Sequence, residues 1–253
     1  MNLSEQEIKN YLDEKNKNIK IKIFDTIAST NSYAKQAIEK KQITENTLII
    51  ANSQTAGRGR FDRKFFSPAQ TGIYMTIAFF VQKTAEDILY ITLIAAIAVV
   101  KAIKNLTGIT VQIKWVNDIF FNNKKIAGIL TETIFNTETN KTESVITGIG
   151  LNVNTQIFPD ELKNIATSLN INISRNRLIA EITNNFFNLY NKTNEEIINE
   201  YKKYLIVNKK IICYINGQKF SGKIEGINDN GNLIINTNNN HILLNSGEIF
   251  FDE

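Results

Sequence analysis

The alternation of hydrophobic and polar positions divides most of the chain into strands with a period of two and helices with a period of about 3.6. The predicted strands cover residues 20–27, 47–51, 72–81, 110–115, 119–121, 124–134 and 145–153. The predicted helices cover residues 4–15, 32–40, 85–106 and 174–204. Strands and helices are therefore intermingled over the larger, N-terminal part of the chain.

The pattern changes after residue 208, where short strands recur between turns that contain glycine and asparagine. Asn228–Gly231 and Asn245–Gly247 are two of these turns, and their spacing is typical of a small all-β barrel. The change falls between Leu205 and Asn208. The sequence thus predicts two domains, with residues 1–206 in the first and residues 207–253 in the second.

The longest apolar run, Ile88–Val100, is too short to cross a bilayer and predicts a buried helix. The N-terminal residues are polar and lack the apolar segment of a secretory signal. Cys213 is the only cysteine, which excludes an internal disulfide and favours a small core residue. We therefore expect a cytoplasmic protein with no membrane segment.

Amino-acid composition and charge limit the kinds of ligand that the protein is expected to bind. Hydrophobic residues make up 43% of the 253 residues and charged residues 21%, as in ordinary globular proteins. The net charge of +4 does not by itself favour a polyanionic partner. Lysine is common and arginine rare, yet Arg58, Arg60 and Arg63 lie in one short loop. Arginine in a lysine-rich background indicates a need for a planar, bidentate donor.

These arginines belong to the segment Gln54–Lys64, in which they are interleaved with Gly57 and Gly59. Glycines let the backbone approach a ligand closely, and guanidinium groups donate paired hydrogen bonds to phosphates and carboxylates. The segment therefore predicts a cradle for an anion. It is not a P-loop, because no Gly-Lys-Ser/Thr follows. A solvated basic loop or a nucleic-acid contact remains the alternative for this segment alone.

A second segment combines a lysine with polar residues at the end of a predicted strand. Alternation places Ile113 and Trp115 on one face and Lys114 on the other. Lys114 either reaches solvent or provides a fixed charge in a pocket, whereas Trp115 is expected in the core. Asn117 and Asp118 offer oxygens for Mg²⁺, held through waters and substrate phosphates, or act as turn residues.

Two further segments are weaker signals when taken alone. Ser29, Thr30 and Asn31 offer hydroxyl and amide groups that suit a small polar head group, and the same residues are typical of a helix N-cap. Gly148 and Gly150 alternate within a predicted strand, which indicates close approach by a ligand or by another backbone.

In order and spacing, these segments resemble the biotin–protein ligase family. The matching residues are Ser29–Asn31, Gly57–Arg60 with Arg63, Lys114-Trp115-x-Asn117-Asp118, Lys125–Leu130 and Gly148-x-Gly150-x-Asn152. The likeness extends over about residues 24–251. Two positions depart from the family pattern: Val116 stands where proline is usual, and Phe65 where tryptophan is usual. Val116 loosens the backbone before Asn117 but removes no functional group, and Phe65 keeps the ring and loses the indole N–H, so the expected activity stands.

The resemblance implies an α+β fold. Its central mixed β-sheet with helices would be similar to the cores of class II aminoacyl-tRNA synthetases, and its C-terminal domain would be a small SH3-like barrel. Biotin would contact Ser29, Thr30, Asn31, Gln54, Arg58, Gly59, Arg60 and Lys114. ATP or the adenylate would contact Arg60, Arg63, Asn117, Lys125 and Asn152. Lys114 and Arg60 would be catalytic, and Asp118 would be the metal ligand.

The implied activity is that of an ATP-dependent ligase, biotin–[acetyl-CoA-carboxylase] ligase. Biotin and ATP would form biotinyl-5'-AMP with Mg²⁺, and a lysine of a biotin carboxyl carrier domain would accept biotin. That carrier would belong to acetyl-CoA carboxylase or to another biotin-dependent carboxylase. The loop 57–66 would order over the adenylate, and we expect it to be mobile without ligand, because its arginines repel one another.

Two alternatives stay open. A lipoate–protein ligase uses related chemistry but needs a longer apolar slot, and the arginine–glycine loop argues against it. A nucleic-acid-binding protein would show a steep salt dependence of binding. About two dozen residues precede the first core strand, too few for a helix-turn-helix domain. We therefore expect a monofunctional enzyme without specific DNA binding, either a monomer or a homodimer.

Overall fold

A computed structural model describes residues 2–83, 87–136, 141–215, 217–237 and 240–252. These residues form two β-sheets and five α-helices. The strands are β1 (Lys20–Ile27), β2 (Thr47–Gln54), β3 (Gly72–Lys83), β4 (Gln112–Lys114), β5 (Asp118–Phe121), β6 (Lys124–Asn136), β7 (Lys141–Asn152), β8 (Lys210–Ile215), β9 (Gln218–Ile227), β10 (Leu233–Asn236), β11 (His241–Leu244) and β12 (Ile249–Phe251). The helices are α1 (Glu5–Tyr11), α2 (Thr30–Glu39), α3 (Asp87–Thr107), α4 (Arg175–Tyr190) and α5 (Asn194–Lys202).

The larger sheet contains seven strands in the order β1-β2-β3-β7-β6-β5-β4, and we call it the large sheet. β1 and β2 are parallel, whereas the other neighbours are antiparallel, so the sheet is mixed as expected. Parallel pairing places Ile27 beside Gln54 at the ends of the first two strands. The start of α2 and the arginine-containing loop therefore leave the sheet at neighbouring points.

The long apolar helix α3 forms the centre of the core. Nearly every residue from Ile91 to Ile103 is buried between the large sheet and the pair α4 and α5. The expectation that the apolar stretch is too short to cross a membrane is wrong, because Leu89–Thr107 is long and apolar enough by length and composition. Within the protein, 67% of that stretch is buried, as in a core helix. The prediction of a buried helix is confirmed, although residues 85 and 86 of the predicted range lie outside the described residues.

Two predicted helices differ from the observed ones: the first ends early, and the last is divided in two. The helix predicted for residues 4–15 ends at Tyr11, although Ser4 caps it as expected by accepting a hydrogen bond from the backbone of Glu7. The pattern over residues 174–204 divides into two helices at Asn191–Thr193. The division has a local cause, because Thr193 and Glu196 form a capping box that begins α5.

The C-terminal strands form a five-stranded antiparallel sheet in the order β11-β10-β9-β8-β12, which we call the C-terminal sheet. Cys213 is fully buried in its core, as expected. His241, the only histidine, is exposed and pairs with Glu225. The two sheets meet where Trp115 Nε1 donates a hydrogen bond to the Gly231 carbonyl oxygen at 3.0 Å. Trp115 is buried, as its position in the pattern predicts.

Candidate functional site

A cavity of about 530 Å³ lies between the large sheet, the arginine-containing loop and the C-terminal sheet. Its walls include every residue that the sequence marked as a candidate site residue: Ser29, Thr30, Asn31, Gln54, Arg58, Gly59, Arg60, Arg63, Lys114, Asn117, Asp118, Lys125 and Asn152. These residues come from five separate parts of the chain. The fold therefore brings the sequence motifs together into one site.

The residues around the start of α2 form one end of the cavity. Ser29 caps α2, so the helix-cap interpretation is correct for this residue. The backbone N–H and the hydroxyl of Thr30 both donate to Gln54 Oε1, at 2.9 and 3.2 Å. Gln54 Nε2 in turn donates to Ser67. This chain of hydrogen bonds holds the hydroxyls and amides of this end in fixed orientations.

Asn31 is almost completely buried and is held on three sides. Its Oδ1 accepts a hydrogen bond from Thr76 at 2.7 Å, and its Nδ2 donates to the Leu130 carbonyl and to Glu132 at 2.9 Å. The amide is thus positioned by strands β3 and β6. Glu132 places a carboxylate at this end of the cavity that sequence patterns did not mark.

Glycines of β7 form part of the cavity floor, and their neighbours explain them. A Cβ atom at Gly150 would lie 2.6 Å from Phe65 Cε1, and a Cβ at Gly148 would collide with Asn31. The expectation was a close approach by a ligand or another backbone. The structure instead places two side chains there, so glycine lets Asn31 and Phe65 reach the floor.

The loop at residues 57–66, here called the arginine loop, is closed on itself by backbone hydrogen bonds. Gly59 N–H donates to the Arg63 carbonyl at 2.7 Å, and Phe65 N–H donates to the Gly57 carbonyl at 2.9 Å. The Phe65 ring lies edge-on to Tyr74, with ring centroids 6.5 Å apart. The ring at this position therefore keeps a packed place beside the cavity although it is not tryptophan.

Each arginine of the loop has a partner. Arg58 pairs with Glu132 at 3.1 Å, and both guanidinium nitrogens of Arg63 donate to Glu248, at 2.6 and 2.7 Å. We expected the arginines to repel one another without a bound anion. Arg63 does lower the pKa of Arg60, as repulsion requires, while the carboxylates of Glu132 on β6 and of Glu248, just before β12, oppose the repulsion within the loop. The mobility of the loop itself stays a prediction.

Arg60 connects the loop to both sheets. It donates to Asn117 Oδ1 at 2.9 Å and to the Gly247 carbonyl at 3.1 Å. Burial lowers its pKa, and the nearby carboxylates of Asp118 and Glu248 oppose that change. Arginine stays charged at physiological pH all the same. Arg60 therefore places a fixed positive charge where the loop, the large sheet and the C-terminal sheet meet.

Asp118 and Lys125 form an ion pair at 2.6 Å on neighbouring strands of the large sheet. Asn117 Nδ2 donates to the Ile129 carbonyl at 2.9 Å, which orients its amide. Within the described ranges there is no group of three acidic, histidine or cysteine side chains that would hold a metal alone. A cation at this site would thus depend on ligands supplied by a substrate.

Lys114 differs from Arg58, Arg63 and Lys125, which each pair with a carboxylate. Among the described residues, its ammonium has no acceptor at hydrogen-bond distance and no carboxylate partner. Burial lowers the pKa of Lys114; Asp118 and Glu248 raise it, whereas Lys125 and Arg63 lower it. The strand alternation was correct in placing Lys114 opposite buried Ile113 and Trp115, and the structure shows that this face lines the cavity.

Two segments of the cavity wall were missed by sequence reasoning. One is Gly247–Phe251, which the sequence presented only as a turn followed by a barrel strand. The other runs from Phe158 to Ala166 and is joined to β6 through Lys125, whose N–H donates to the Ile165 carbonyl at 2.9 Å. Neither carries a local motif. Their apolar residues resemble ordinary core residues, so only the folded chain assigns them to the site.

Comparison with known families agrees with the class that fold and site define, a ligase with a mixed-sheet catalytic core and a small C-terminal sheet. The model of the Biotin/lipoate A/B protein ligase family matches residues 23–152, and that of the Biotin protein ligase C terminal domain matches residues 211–252. The chain belongs to this family, and the two matches together place it among the biotin protein ligases.

Individual relatives agree with this placement. The bifunctional ligase/repressor BirA of Bacillus subtilis is 38% identical over 226 residues, which cover 85% of this chain and 68% of that protein. The biotin–[acetyl-CoA-carboxylase] ligase of Mycobacterium tuberculosis is 26% identical over 219 residues, covering 81% and 79%. The biotin protein ligase from Aquifex aeolicus, solved with biotin and ATP, shares the fold with a TM-score of 0.77 at 24% identity, covering 92% and 98%.

Proposed function

We propose that this protein activates biotin with ATP to biotinyl-5'-AMP and transfers biotin to a specific lysine of a biotin carboxyl carrier domain. The observation that carries the proposal is the half-buried Lys114 ammonium, which faces the cavity and, among the described residues, has no carboxylate at ion-pair distance, although Asp118 and Glu248 act on it from farther away. A charge of this kind is stabilised when an anionic substrate arrives. The names of the similar ligases support the same two substrates.

In the first step, an oxygen of the biotin carboxylate attacks the α-phosphorus of ATP, the bond to the bridging oxygen breaks, and pyrophosphate leaves. Two anions must meet, so Lys114 and Arg60 offset their repulsion and stabilise the charge that develops on phosphorus. In the second step, a neutral carrier amine attacks the acyl carbon, AMP leaves and the amine loses a proton. Holding the reactants side by side lowers both barriers.

Mg²⁺ fits this site as an ion shared with the nucleotide. The Oδ1 atom of Asp118 is engaged with Lys125 and Asn117, which leaves Oδ2 without a partner among the described residues. One carboxylate oxygen together with substrate phosphates and waters is a usual set of ligands for Mg²⁺. Asp118 would therefore hold the ion, which would neutralise phosphate charge.

The proposed carrier is the biotin domain of acetyl-CoA carboxylase or of another biotin-dependent carboxylase. The name of the Mycobacterium tuberculosis relative supports this choice. We also propose a cytoplasmic location and no membrane contact, because the apolar helix α3 is covered by the protein's own sheet and helices. The chain acts as a monomer or a homodimer, and sedimentation distinguishes the two.

The substrate proposal predicts that ATP–pyrophosphate exchange depends on biotin and Mg²⁺ and is absent with lipoate or octanoate. The physical reason is one end of the cavity, where the amides and hydroxyl of Thr30, Asn31 and Gln54 are held in place and suit a compact polar head group better than an apolar tail. The measurement is exchange of labelled pyrophosphate with each acid in turn. Equal exchange with lipoate would assign the chain to the other branch of its family.

The floor of the cavity supplies a second prediction, Gly150→Ala. The added Cβ would lie 2.6 Å from Phe65 Cε1, so the ring, which lines the cavity, must move. We expect the displaced ring to weaken ATP binding by about 1.4 kcal/mol, which raises the KM for ATP about tenfold. The matched control is Gly226→Ala on β9, where a Cβ meets no atom within 4 Å. An equal KM in both variants would show that Phe65 does not border the nucleotide site.

We propose that the 253-residue chain does not read DNA. The residues before β1 are attached to α4: Asn184 accepts from the backbone of Asp13 at 2.9 Å, and Asn176 accepts from the backbone of Ser4 at 3.1 Å. A recognition helix must instead be free to enter a major groove. Mobility-shift titrations with operator-like DNA should show only weak binding that salt abolishes. A saturable, salt-resistant shift on one sequence would contradict this.

A further inference from the structure

Three aromatic rings surround the Lys114 ammonium. Its Nζ atom lies 5.0 Å from the ring centroid of Phe251, 5.5 Å from that of Phe120 and 5.9 Å from that of Phe250. All three distances are within the range of about 6 Å in which the face of a ring attracts a cation. Rings therefore supply the close neighbours that carboxylates supply for Arg58, Arg63 and Lys125.

The two nearest rings come from different sheets. Phe120 lies on β5, and Phe251 lies on β12 in the C-terminal sheet, where it pairs with Ile211. The two rings pack edge to face, with centroids 5.6 Å apart and planes at 85°. This geometry is favourable for aromatic pairs and keeps each ring in place. The position of β12 therefore determines what the Lys114 ammonium touches.

The partners of the neighbouring cations show why rings matter here. Lys125 lies 2.6 Å from the Asp118 carboxylate, and Arg63 is paired with Glu248. A carboxylate at that distance offsets the charge and competes with a substrate anion for the donors. A ring face stabilises the ammonium but accepts no strong hydrogen bond, so the three N–H groups of Lys114 stay available.

We propose that Phe251 is a positioning residue for adenylation, whose ring, packed on Phe120, holds the Lys114 ammonium ready for the biotin carboxylate and the α-phosphate. This inference rests on the proposed function. It adds a role for the C-terminal sheet, which is to fix the position of the Lys114 ammonium in the cavity. Burial lowers the pKa of Lys114, and the adjacent ring faces favour its charged form against that desolvation.

The test compares three variants in biotin-dependent ATP–pyrophosphate exchange. Phe251→Leu keeps an apolar side chain and removes the ring, and we expect kcat to fall about tenfold, the scale of a partly desolvated cation–π contact. The KM for biotin should change by less than about twofold. The reason is that the charge which Lys114 is positioned to stabilise develops on phosphorus in the transition state and is absent when biotin merely binds. Phe251→Tyr keeps the ring face and should restore most of the rate.

The matched control is Phe220→Leu, because Phe220 lies on β9 of the same sheet and does not line the cavity. It should keep the exchange rate of the unmodified protein. If Phe220→Leu loses as much kcat as Phe251→Leu, the loss reports the stability of the C-terminal sheet and the inference is overturned. Thermal unfolding of each variant identifies any that fails to fold.

A double-mutant cycle shows whether Phe251 acts through Lys114. In the Lys114→Ala background, Phe251→Leu should cause no further loss, because the ammonium that it positions is gone. Additive losses would overturn the inference. The unmodified protein separates the two claims: no exchange with biotin refutes the proposed function, whereas normal exchange with an unaffected Phe251→Leu variant refutes only the role of Phe251.

Discussion

Lys114→Ala is expected to lower the rate of biotin-dependent ATP–pyrophosphate exchange by about 100-fold or more, the effect of losing one preorganised group that stabilises transition-state charge. The structure gives the reason. Lys114 faces the cavity, and its ammonium has no carboxylate partner among the described residues. Arg58, Arg63 and Lys125 already share their charge with carboxylates, and Arg60 is bonded to Asn117 and the Gly247 carbonyl, so these cations do not replace Lys114 when it is removed.

The control is Lys104→Ala, because Lys104 is an exposed lysine on α3 far from the cavity wall. This variant should exchange pyrophosphate at the rate of the unmodified protein. Lys114→Arg is a useful third variant: it keeps the charge but replaces a compact ammonium with a planar fork, so it should recover only part of the rate. Full activity in Lys114→Ala would mean that Lys114 lines the cavity without taking part in adenylation.

The pH profile gives an independent check on the same residue. Burial lowers the pKa of Lys114 below its ordinary 10.5, against the opposing effects of Asp118 and Glu248. The charged form is complete below that lowered pKa and is lost as pH rises through it. Adenylation should therefore decline on the alkaline side. In Lys114→Ala the low remaining rate no longer depends on the Lys114 charge. Its alkaline decline should therefore be smaller than that of the unmodified protein by the part that Lys114 causes.

Arg60→Gly is expected to form biotinyl-5'-AMP but to release it about 10- to 100-fold faster, since charge-assisted hydrogen bonds contribute about 1.5–3 kcal/mol each. Arg60 ties the arginine loop to Asn117 and to the Gly247 carbonyl. Glycine removes both bonds and adds backbone freedom. The reactive mixed anhydride would then leave before the carrier arrives, and nearby lysines on unrelated proteins would become biotinylated.

The measurements are the dissociation rate of biotinyl-5'-AMP and streptavidin blotting of a bystander protein. Arg60→Lys serves as the matched variant: it keeps the charge but cannot reproduce the two-armed contact, so its release rate should lie between the other two. Arg63→Gln tests the ion pair with Glu248 separately. If Arg60→Gly releases the adenylate at the normal rate and labels no bystander, the loop does not retain the intermediate.

Sequence patterns located most helices and strands, because an element that buries one face has apolar residues at regular intervals along the chain. Residues 20–27 were predicted as a strand and are one, and the apolar run within α3 was correctly taken as a core helix. The errors lie at helix ends. The helix breaks at Asn191–Thr193 because a capping box there begins a new helix. The spacing of apolar residues stays the same on both sides of the break, so it does not reveal the break.

The sequence predicted which residues form the candidate site, but not the hydrogen bonds and ion pairs between them. The arginine–glycine loop and Lys114 carry recognisable chemistry in short segments, so the sequence alone predicted a cradle for an anion and named the residues that would form it. It could not pair Arg63 with Glu248, which is 185 positions away along the chain. Periodicity reports that a face is covered, and it does not report which side chain covers it.

The sequence by itself thus determined the order of the elements, the change to a small β-sheet after residue 208, and the family resemblance. Only the tertiary structure decided whether Lys114 faces solvent or a cavity, and only it placed Phe251 beside the ammonium and Phe65 over Gly150. The physical reason is that these contacts join segments far apart in the chain. Each depends on how sheets and loops pack, and a local pattern carries no record of that packing.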